Sequence, residues 1–126
     1  MIPENLKYTP SHEWVRVEGA EAVFGITDHA QHELGDITYV EMPTIGKAIA
    51  QFAAFGTVES VKAASEVYAP VAGEVIAVND NLDDAPQLLN ESPYEAGWIC
   101  RVKITDVAGL DALMDAAAYA KAVEED

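Results

Sequence analysis

The feature that most constrains the fold is an internal repeat. The segment Val40–Ala50 shares valine, proline, glycine, isoleucine and alanine with the segment Val67–Ala77, at a constant offset of 67 − 40 = 27 residues. In each copy a proline precedes a glycine turn, where a missing backbone donor is tolerated, and the apolar residues after the glycine begin another strand. The repeat predicts two similar β units related by a pseudo-twofold axis, in a β-sandwich or flattened barrel. Chance similarity between two strand–turn–strand segments is the alternative.

The rest of the first hundred residues also has a mainly β pattern. β-branched and aromatic residues cluster or alternate in three segments, which we predict to be strands: Trp14–Val17, Glu21–Ile26 and Ile37–Glu41. The segment Thr27–Gly35 opens with a capping residue and closes with glycine, which predicts a short helix. A second helical turn is predicted near Pro86.

The C-terminal part has an apolar pattern of helical period. Four apolar residues recur at the 3, 4, 7 spacing of a helix face: Leu110, Leu113, Met114 and Ala117. We therefore predict a helix over residues about 108–122, with these side chains against the β core. Residues 123–126 are predicted to fray.

Length and charge limit the classes of function. A chain of 126 residues suits one domain spanning residues 1–126. Its formal charge of −15 argues against nucleic acid or an anionic membrane as partner and predicts basic protein partners. No secretory pattern or long apolar run is seen, so a cytoplasmic location is expected. Cys100 is the only cysteine and lies in an apolar, strand-like run, which predicts a buried, inert thiol.

Two polar clusters have only a superficial likeness to metal sites. His29 and His32 are three residues apart on the predicted helix, but no cysteine or suitably placed third histidine completes a site, so capping or partner contact is preferred. Asp80, Asp83 and Asp84 lack the glycine and closing glutamate of an EF-hand, so a solvated acidic loop is expected. We predict no metal. No Ser-His-Asp or phosphate-loop arrangement supports an enzyme either.

The segment between the two repeats has a lysine at its centre. Gly56–Val67 is strand-like on both sides of Lys62, which predicts a hairpin with this amine at its tip. Taken alone, an exposed lysine is an ordinary solvated charge. A lysine on a hairpin between two quasi-symmetric β units, however, suits a modifying enzyme that must reach the amine and a swinging arm that must then reach several active sites. Lys62 is therefore the candidate modification site.

Five runs along nearly the whole chain form a further pattern, and in order they are Lys7–Val15, Gly25–Gln31, Glu59–Ala63, Pro70–Val75 and Pro93–Trp98. Together these runs resemble the H-protein family of the glycine cleavage system. In lipoyl-bearing proteins of this type one glycine commonly precedes the lysine by 16 residues and another follows it by 11. Gly46 and Gly73 satisfy both spacings, since 62 − 46 = 16 and 73 − 62 = 11.

The neighbours of the lysine distinguish related carriers. Biotin carriers flank the lysine with methionines, and lipoyl domains of 2-oxo acid dehydrogenases usually place an aspartate directly before it. Val61 and Ala63 fit neither pattern.

The resemblance implies a fold and a function. The fold would be a lipoyl/biotinyl-type barrel-sandwich hybrid with short peripheral helices and a C-terminal helix. Lipoate in amide linkage to Lys62 would accept an aminomethyl group from the glycine decarboxylase (P protein) and deliver it to the aminomethyltransferase (T protein). Dihydrolipoamide dehydrogenase (L protein) would then restore the lipoyl disulfide. The chain would be a non-catalytic carrier, and Glu59 and Gly73 would help lipoylating enzymes to recognise the hairpin.

The loaded arm would end in an ammonium group, and a cleft that holds it needs carboxylates and neutral acceptors. Ser11 and Glu13, in the Ser-His-Glu-Trp run, and Glu66, four residues after the lysine, are the candidates. A solvated hairpin charge is an equal alternative for Glu66. His12 could close the same pocket, although an ordinary partly buried histidine is preferred.

Two other functions remain open on the sequence. One is an H-like protein that relays lipoyl groups to other lipoate-dependent proteins, and the other is an unmodified β-rich interaction module. The complete Ser-His-Glu-Trp run, Ser11–Trp14, favours the glycine-cleavage role.

Overall fold

The computed structural model of the chain describes residues 2–125. Within them the chain is mainly β. The strands are β1 (Lys7–Tyr8), β2 (Glu13–Glu18), β3 (Glu21–Ile26), β4 (Ile37–Glu41), β5 (Ala48–Ile49), β6 (Ala54–Ser60), β7 (Ala64–Tyr68), β8 (Gly73–Val78) and β9 (Cys100–Ile104). The helices are α1 (Asp28–Leu34), α2 (Asn81–Asp84), α3 (Leu88–Glu91) and α4 (Ala116–Glu124), with a 3-10 helix over Val107–Ala112.

The strands form two antiparallel sheets. A six-stranded sheet has the order β1-β2-β3-β9-β8-β5, and a three-stranded sheet has the order β4-β6-β7. Inward-facing apolar side chains from both sheets form one main core. The three strands predicted from β-branched alternation are confirmed: two have the predicted bounds, and the third lies within β2.

Both copies of the repeat follow the same path through the fold. Each begins in the three-stranded sheet and crosses to the six-stranded sheet, as β4 to β5 and as β7 to β8, and β5 then pairs with β8. The copies diverge at the repeated glycine. Gly46 has a left-handed φ of 95°, whereas a Cβ at Gly73, the first residue of β8, would lie 2.7 Å from the backbone oxygen of Lys103. The repeated glycine is therefore needed for a left-handed turn in the first copy and for close packing in the second.

A second, smaller core lies on the outer face of the six-stranded sheet. It consists of Leu6, Tyr8, Trp14, Val23 and Tyr119. β3 is therefore buried on both faces, with Phe24 in the main core and Val23 in the second. Helix α4 contributes Tyr119, whose ring stacks on Tyr8 with centroids 4.6 Å apart and planes 9° from parallel. This stack attaches the C-terminal helix to the sheet.

The predicted single helix over residues 108–122 is wrong in its bounds, although a C-terminal helix is present. The 3-10 helix ends at Ala112, and Met114 then exchanges two backbone hydrogen bonds of 2.9 Å with Tyr8. Asp115 begins α4 by accepting a hydrogen bond from the Ala118 N–H at 2.8 Å. Leu110 and Leu113 pack against the main core and Met114 against the second core, whereas Ala117 is exposed. The predicted apolar face is thus divided between two elements.

The smaller helices partly follow the predictions. Thr27 caps α1 as expected, with its hydroxyl oxygen accepting from the Ala30 N–H, and α3 forms two residues beyond Pro86. The predicted acidic loop is wrong in structure, because two of its three exposed aspartates belong to α2, whose Leu82 is buried. The predicted fraying is wrong for Val123 and Glu124, which are in α4, and Asp126 lies outside the described residues. No helix within residues 2–125 has the length and apolar character needed to cross a bilayer.

Candidate functional site

Lys62 lies at the tip of the β6–β7 hairpin and is exposed. The Ser60 N–H donates to the Ala63 carbonyl at 2.8 Å, and the Ser60 hydroxyl oxygen accepts from the N–H groups of Ala63 and Lys62 at 3.1 and 3.4 Å. Among the described residues, left-handed non-glycine backbone occurs only at His12 and Phe52, so this two-residue turn uses ordinary backbone geometry. The serine side chain closes the turn.

A neighbouring segment supports the hairpin. The N–H of Val61 donates to the backbone oxygen of Asp36 at 3.1 Å, in the connection between α1 and β4. A Cβ atom placed on Gly35 would lie 3.6 Å from Cε of Lys62, so the lysine stem runs beside this connection. The hairpin belongs to the three-stranded sheet. The two β units were expected to lie on either side of the hairpin, but in space the hairpin is part of a single sheet, in which β4 and β7 both flank β6.

Glu13 is buried, with 2% of its surface exposed. Its Oε1 accepts hydrogen bonds from the hydroxyl groups of Thr9 at 2.5 Å and Ser11 at 2.6 Å, and its Oε2 accepts from the Tyr68 N–H at 3.1 Å. Burial raises the pKa of this carboxyl above its ordinary value, although the hydrogen bonds oppose the shift. Glu13 thus joins the β1–β2 turn to the end of β7, and its partner Ser11 is exposed.

Ser11 opens onto an apolar cavity of about 380 Å³. Its other lining residues are Pro10, Phe52 and Tyr68. Phe52 has a φ of 64°, a conformation rare for a bulky residue, and its N–H donates to the Ala69 carbonyl at 2.7 Å. Neither Phe52 nor Tyr68 was predicted at this site from the sequence. Only the strand character of the chain around Tyr68 was visible.

Glu66 lies in a neighbouring groove. It is exposed on β7, two residues before Tyr68, and pairs across the sheet with Thr57. The groove has a volume of about 370 Å³, and Glu41 and Lys47 also line it. The structure therefore brings Ser11 and Glu13 together and places Glu66 beside them along β7, in a separate depression.

The two candidate recognition residues lie in different sheets. Glu59 is exposed on β6, opposite Ala64 and three residues before Lys62. Gly73 is buried in the six-stranded sheet, where it pairs with Ile49 and Ile104. The structure brings only Glu59 to the hairpin.

The three histidines lie near Tyr119 of α4, with His12 beside His29, and with His29 and His32 lining one cavity next to Tyr119. His12 has an Nδ1···Oη distance of 2.8 Å to Tyr119, and its ring centroid lies 4.5 Å from that of His29. The Thr27 hydroxyl group shares a hydrogen bond with the same Tyr119 hydroxyl group, with an Oγ1···Oη distance of 2.7 Å. His12 is partly buried and does not line the Ser11 cavity, as preferred from the sequence. Within residues 2–125 no three His, Cys, Asp or Glu side chains are placed to hold a metal ion.

Cys100 is fully buried on β9, as predicted. Burial raises the pKa of its thiol to about 12, so the thiolate is not formed at neutral pH. The Cys100 side chain therefore packs in the core as an unreactive thiol.

A barrel-sandwich hybrid that displays one lysine on a tight, supported hairpin defines a class: the carrier domains of the lipoyl and biotinyl type. Comparison with known proteins specifies the family. The sequence profile of the family described as "Glycine cleavage H-protein" matches residues 6–126. The chain belongs to this family, which confirms the family predicted from the sequence.

Individual relatives agree with the profile. The chain is 56% identical over 123 to 124 residues to glycine cleavage system H proteins such as that of Brevibacillus brevis, with 98% of each chain covered in that case. It is 54% identical to the protein of the same name from Anaeromyxobacter sp. (strain K), with 98% of this chain and 97% of the relative covered. A crystal structure of a glycine cleavage system H protein from Mycobacterium marinum matches with a TM-score of 0.87 and 34% identity, over 95% of this chain and 97% of that one.

Proposed function

We propose that this chain is the lipoyl carrier of a glycine cleavage system, which shuttles the aminomethyl group of glycine on an arm attached to Lys62. The observation that carries the proposal is an exposed lysine at the tip of a closed, supported hairpin, in a chain of the H-protein family. Relay of lipoyl groups to other proteins, the alternative from the sequence, has no observation in its favour.

The residues around Lys62 fit a lipoyl group. The amine is exposed for acylation, and the apolar lining of the Ser11 cavity, next to the groove of Glu66, suits a hydrocarbon chain that ends in a polar group. When attached, lipoate supplies a disulfide that can be opened to accept the one-carbon unit and closed again. The protein contributes a high local concentration of the tethered group at each partner.

The polar residues of the site have separate roles in this proposal. The hydroxyl of Ser11 and the carboxylate of Glu66 face solvent and can bind an ammonium group directly. Glu13 acts from beneath, by orienting the Ser11 hydroxyl through a 2.6 Å hydrogen bond. Glu59 is the hairpin carboxylate that a lipoylating enzyme would contact. Any contribution of Gly73 to recognition is indirect, because its glycine is needed for packing of β8.

The remaining features of the proposal follow from the same role. Residues 1–126 act as one carrier domain without catalysis of their own. Its partners are the glycine decarboxylase, the aminomethyltransferase, dihydrolipoamide dehydrogenase and the lipoylating enzymes, and its location is the cytoplasm.

The test is Lys62→Arg, which keeps the positive charge but removes the acylable amine. We expect a folded protein without the lipoyl mass increment and with less than about 1% of the wild-type glycine-cleavage turnover in a reconstituted assay. Lys121→Arg, at an exposed lysine of α4 outside the site, is the matched control and should be modified and active. Full activity of Lys62→Arg would disprove the carrier role of this residue.

Glu59→Ala tests recognition of the hairpin. We expect a several-fold lower initial rate of lipoylation, since an enzyme that contacts this carboxylate loses about 1 kcal/mol or more of binding free energy. The rate is measured by intact mass at subsaturating carrier. Glu95→Ala removes the same charge from an exposed site outside the hairpin and should leave the rate unchanged. Equal rates for the two variants would exclude Glu59 from recognition.

A further inference from the structure

We propose that Asn90, a residue of α3 with no role in the site described above, is a positioning residue for the modification of Lys62. Its side-chain amide fixes the connection between α1 and β4, and that connection holds the tip of the hairpin in place. The inference rests on the proposed function, because it concerns access of a modifying enzyme to Lys62.

The amide of Asn90 uses both of its polar atoms on this connection. Its Nδ2 donates to the backbone oxygen of Gly35 and to Oε1 of Gln31, each at 2.9 Å. Its Oδ1 accepts from the Ile37 N–H at 2.9 Å. Asn90 therefore holds Gly35 and Ile37, the residues on either side of Asp36, and only an amide can donate and accept in this way.

Asp36, between these two fixed residues, contacts the hairpin. Its backbone oxygen accepts from the Val61 N–H at 3.1 Å, and the Lys62 stem passes beside Gly35. Gly35 itself has a φ of 82° and donates its N–H to the Gln31 carbonyl at 3.0 Å, which ends α1. Three consecutive backbone positions thus connect one side chain of α3 to the residue before the lysine.

The hairpin tip needs such support. The last β6–β7 pair is Glu59 with Ala64, and the edge strand β7 has no further strand beside it. On its other side Ser60 pairs with Ile37 of β4, so the order of the tip depends on β4 and on the connection that precedes it. A flexible tip would present Lys62 in many orientations, and an enzyme that binds one of them would bind with an affinity reduced by the fraction of competent molecules.

Asn90→Asp tests the inference in the full-length protein. The aspartate keeps an acceptor for Ile37 but loses both donors and faces the oxygens of Gly35 and Gln31. Asn81→Asp is the matched control, because it adds the same charge at an exposed asparagine at the start of α2. The first readout is amide hydrogen exchange of Val61 by NMR on the unmodified chain. The second is the rate of Lys62 acylation by a lipoate-attaching enzyme over a range of carrier concentrations.

For Asn90→Asp we expect exchange at Val61 at least about fivefold faster, with exchange in β3 unchanged. The KM for the carrier should rise at least about threefold while kcat stays within about twofold, since acylation of a correctly placed lysine is unaffected. Asn81→Asp should match the unaltered protein. Unchanged Val61 exchange or an unchanged KM would overturn the inference. So would faster exchange throughout the chain, since Asn90 would then serve general stability alone.

A second variant covers failure of Asn90→Asp to fold. Gln31→Ala removes one acceptor of the Asn90 amide from α1 and should raise Val61 exchange at least about twofold, and an unchanged rate would overturn the inference. The function proposed for Lys62 and the role proposed for Asn90 can be disproved separately. Absence of acylation in the unaltered protein would disprove the function proposed for Lys62, while the exchange measurement would still test the effect of Asn90 on the hairpin.

Discussion

Glu13 shows how one buried carboxylate can connect a surface site to the framework. It accepts hydrogen bonds from Thr9 and Ser11 on the β1–β2 turn and from the backbone of Tyr68 on β7. Burial nevertheless raises its pKa, because removal of the charged form from water outweighs these hydrogen bonds. A group held in this way orients its neighbours and also makes stability depend on pH.

Glu13→Gln should reveal this pH dependence. Because the pKa is raised on folding, the folded state binds more protons between the ordinary pKa of 4.5 and the raised value. The stabilisation is complete below 4.5 and is lost as the pH rises through the raised pKa. The free energy of unfolding of the unaltered protein, minus that of Glu13→Gln, should therefore increase as the pH is lowered from neutral towards 4.5. Urea unfolding of both proteins measures it, and a constant difference would contradict the prediction.

The residues of the site differed in how far the sequence could predict them. Lys62 was predictable because it is centred on a hairpin between two repeats, and Ser11 and Glu13 because they share a local run. Asn90 was not, since its three contacts lie 53 to 59 positions away in sequence. Phe52 has a backbone conformation that no local pattern indicates for a phenylalanine.

At the scale of elements, the C-terminal segment shows where local periodicity fails. Strands β3 and β4 were predicted to the residue because alternation of apolar side chains is a local signal. The helical spacing from Leu110 to Ala117 was equally local, but the pairing of Met114 with Tyr8 breaks the helix. These partners are 114 − 8 = 106 residues apart, so a long-range contact overrides a local preference.

Asp115→Ala tests the restart of the helix. Asp115 is the N-cap of α4, and loss of such a cap costs about 1 kcal/mol, within a range of about 0.5–2 kcal/mol. We expect the free energy of unfolding to fall by that amount in urea titrations. Asp111→Ala removes the same charge from an exposed position that caps no helix, and should change stability by less than about 0.5 kcal/mol. Equal losses in both variants would mean that charge, and not capping, explains the effect.

At the scale of the whole molecule, the charges are unevenly paired. On the outer face of the six-stranded sheet, Arg101 bridges Glu18 and Glu21, and Arg16 also pairs with Glu18. In the segments 28–42 and 54–68, which form α1 and the three-stranded sheet, Lys62 is the only cation beside six carboxylates. Formation of an amide at Lys62 would leave this part of the molecule without any lysine or arginine charge. The sheet that displays Lys62 would then carry carboxylates alone among its charged lysine, arginine, aspartate and glutamate positions.

Salt should therefore slow carrier-dependent turnover. If partners present basic rims, attraction raises encounter rates at low salt and fades as the Debye length falls from about 10 Å at 0.1 M to about 3 Å at 1 M. The measurement is glycine decarboxylation at subsaturating carrier across this range. Free lipoic acid, which needs no carrier, controls for salt damage to the enzyme. A flat rate, or a fall only in parallel with this control, would show that the acidity serves solubility alone.

Closure of the hairpin by Ser60 makes the geometry of the tip independent of the side chain that precedes Lys62. The serine side chain and the Asp36 carbonyl fix the turn. The side chain of Val61, which is 70% exposed, is therefore not needed to hold it. The position before the lysine can change its chemical identity while the tip keeps its geometry. Substitution of this one exposed side chain can therefore change which modifying enzyme recognises the hairpin without destabilising the fold.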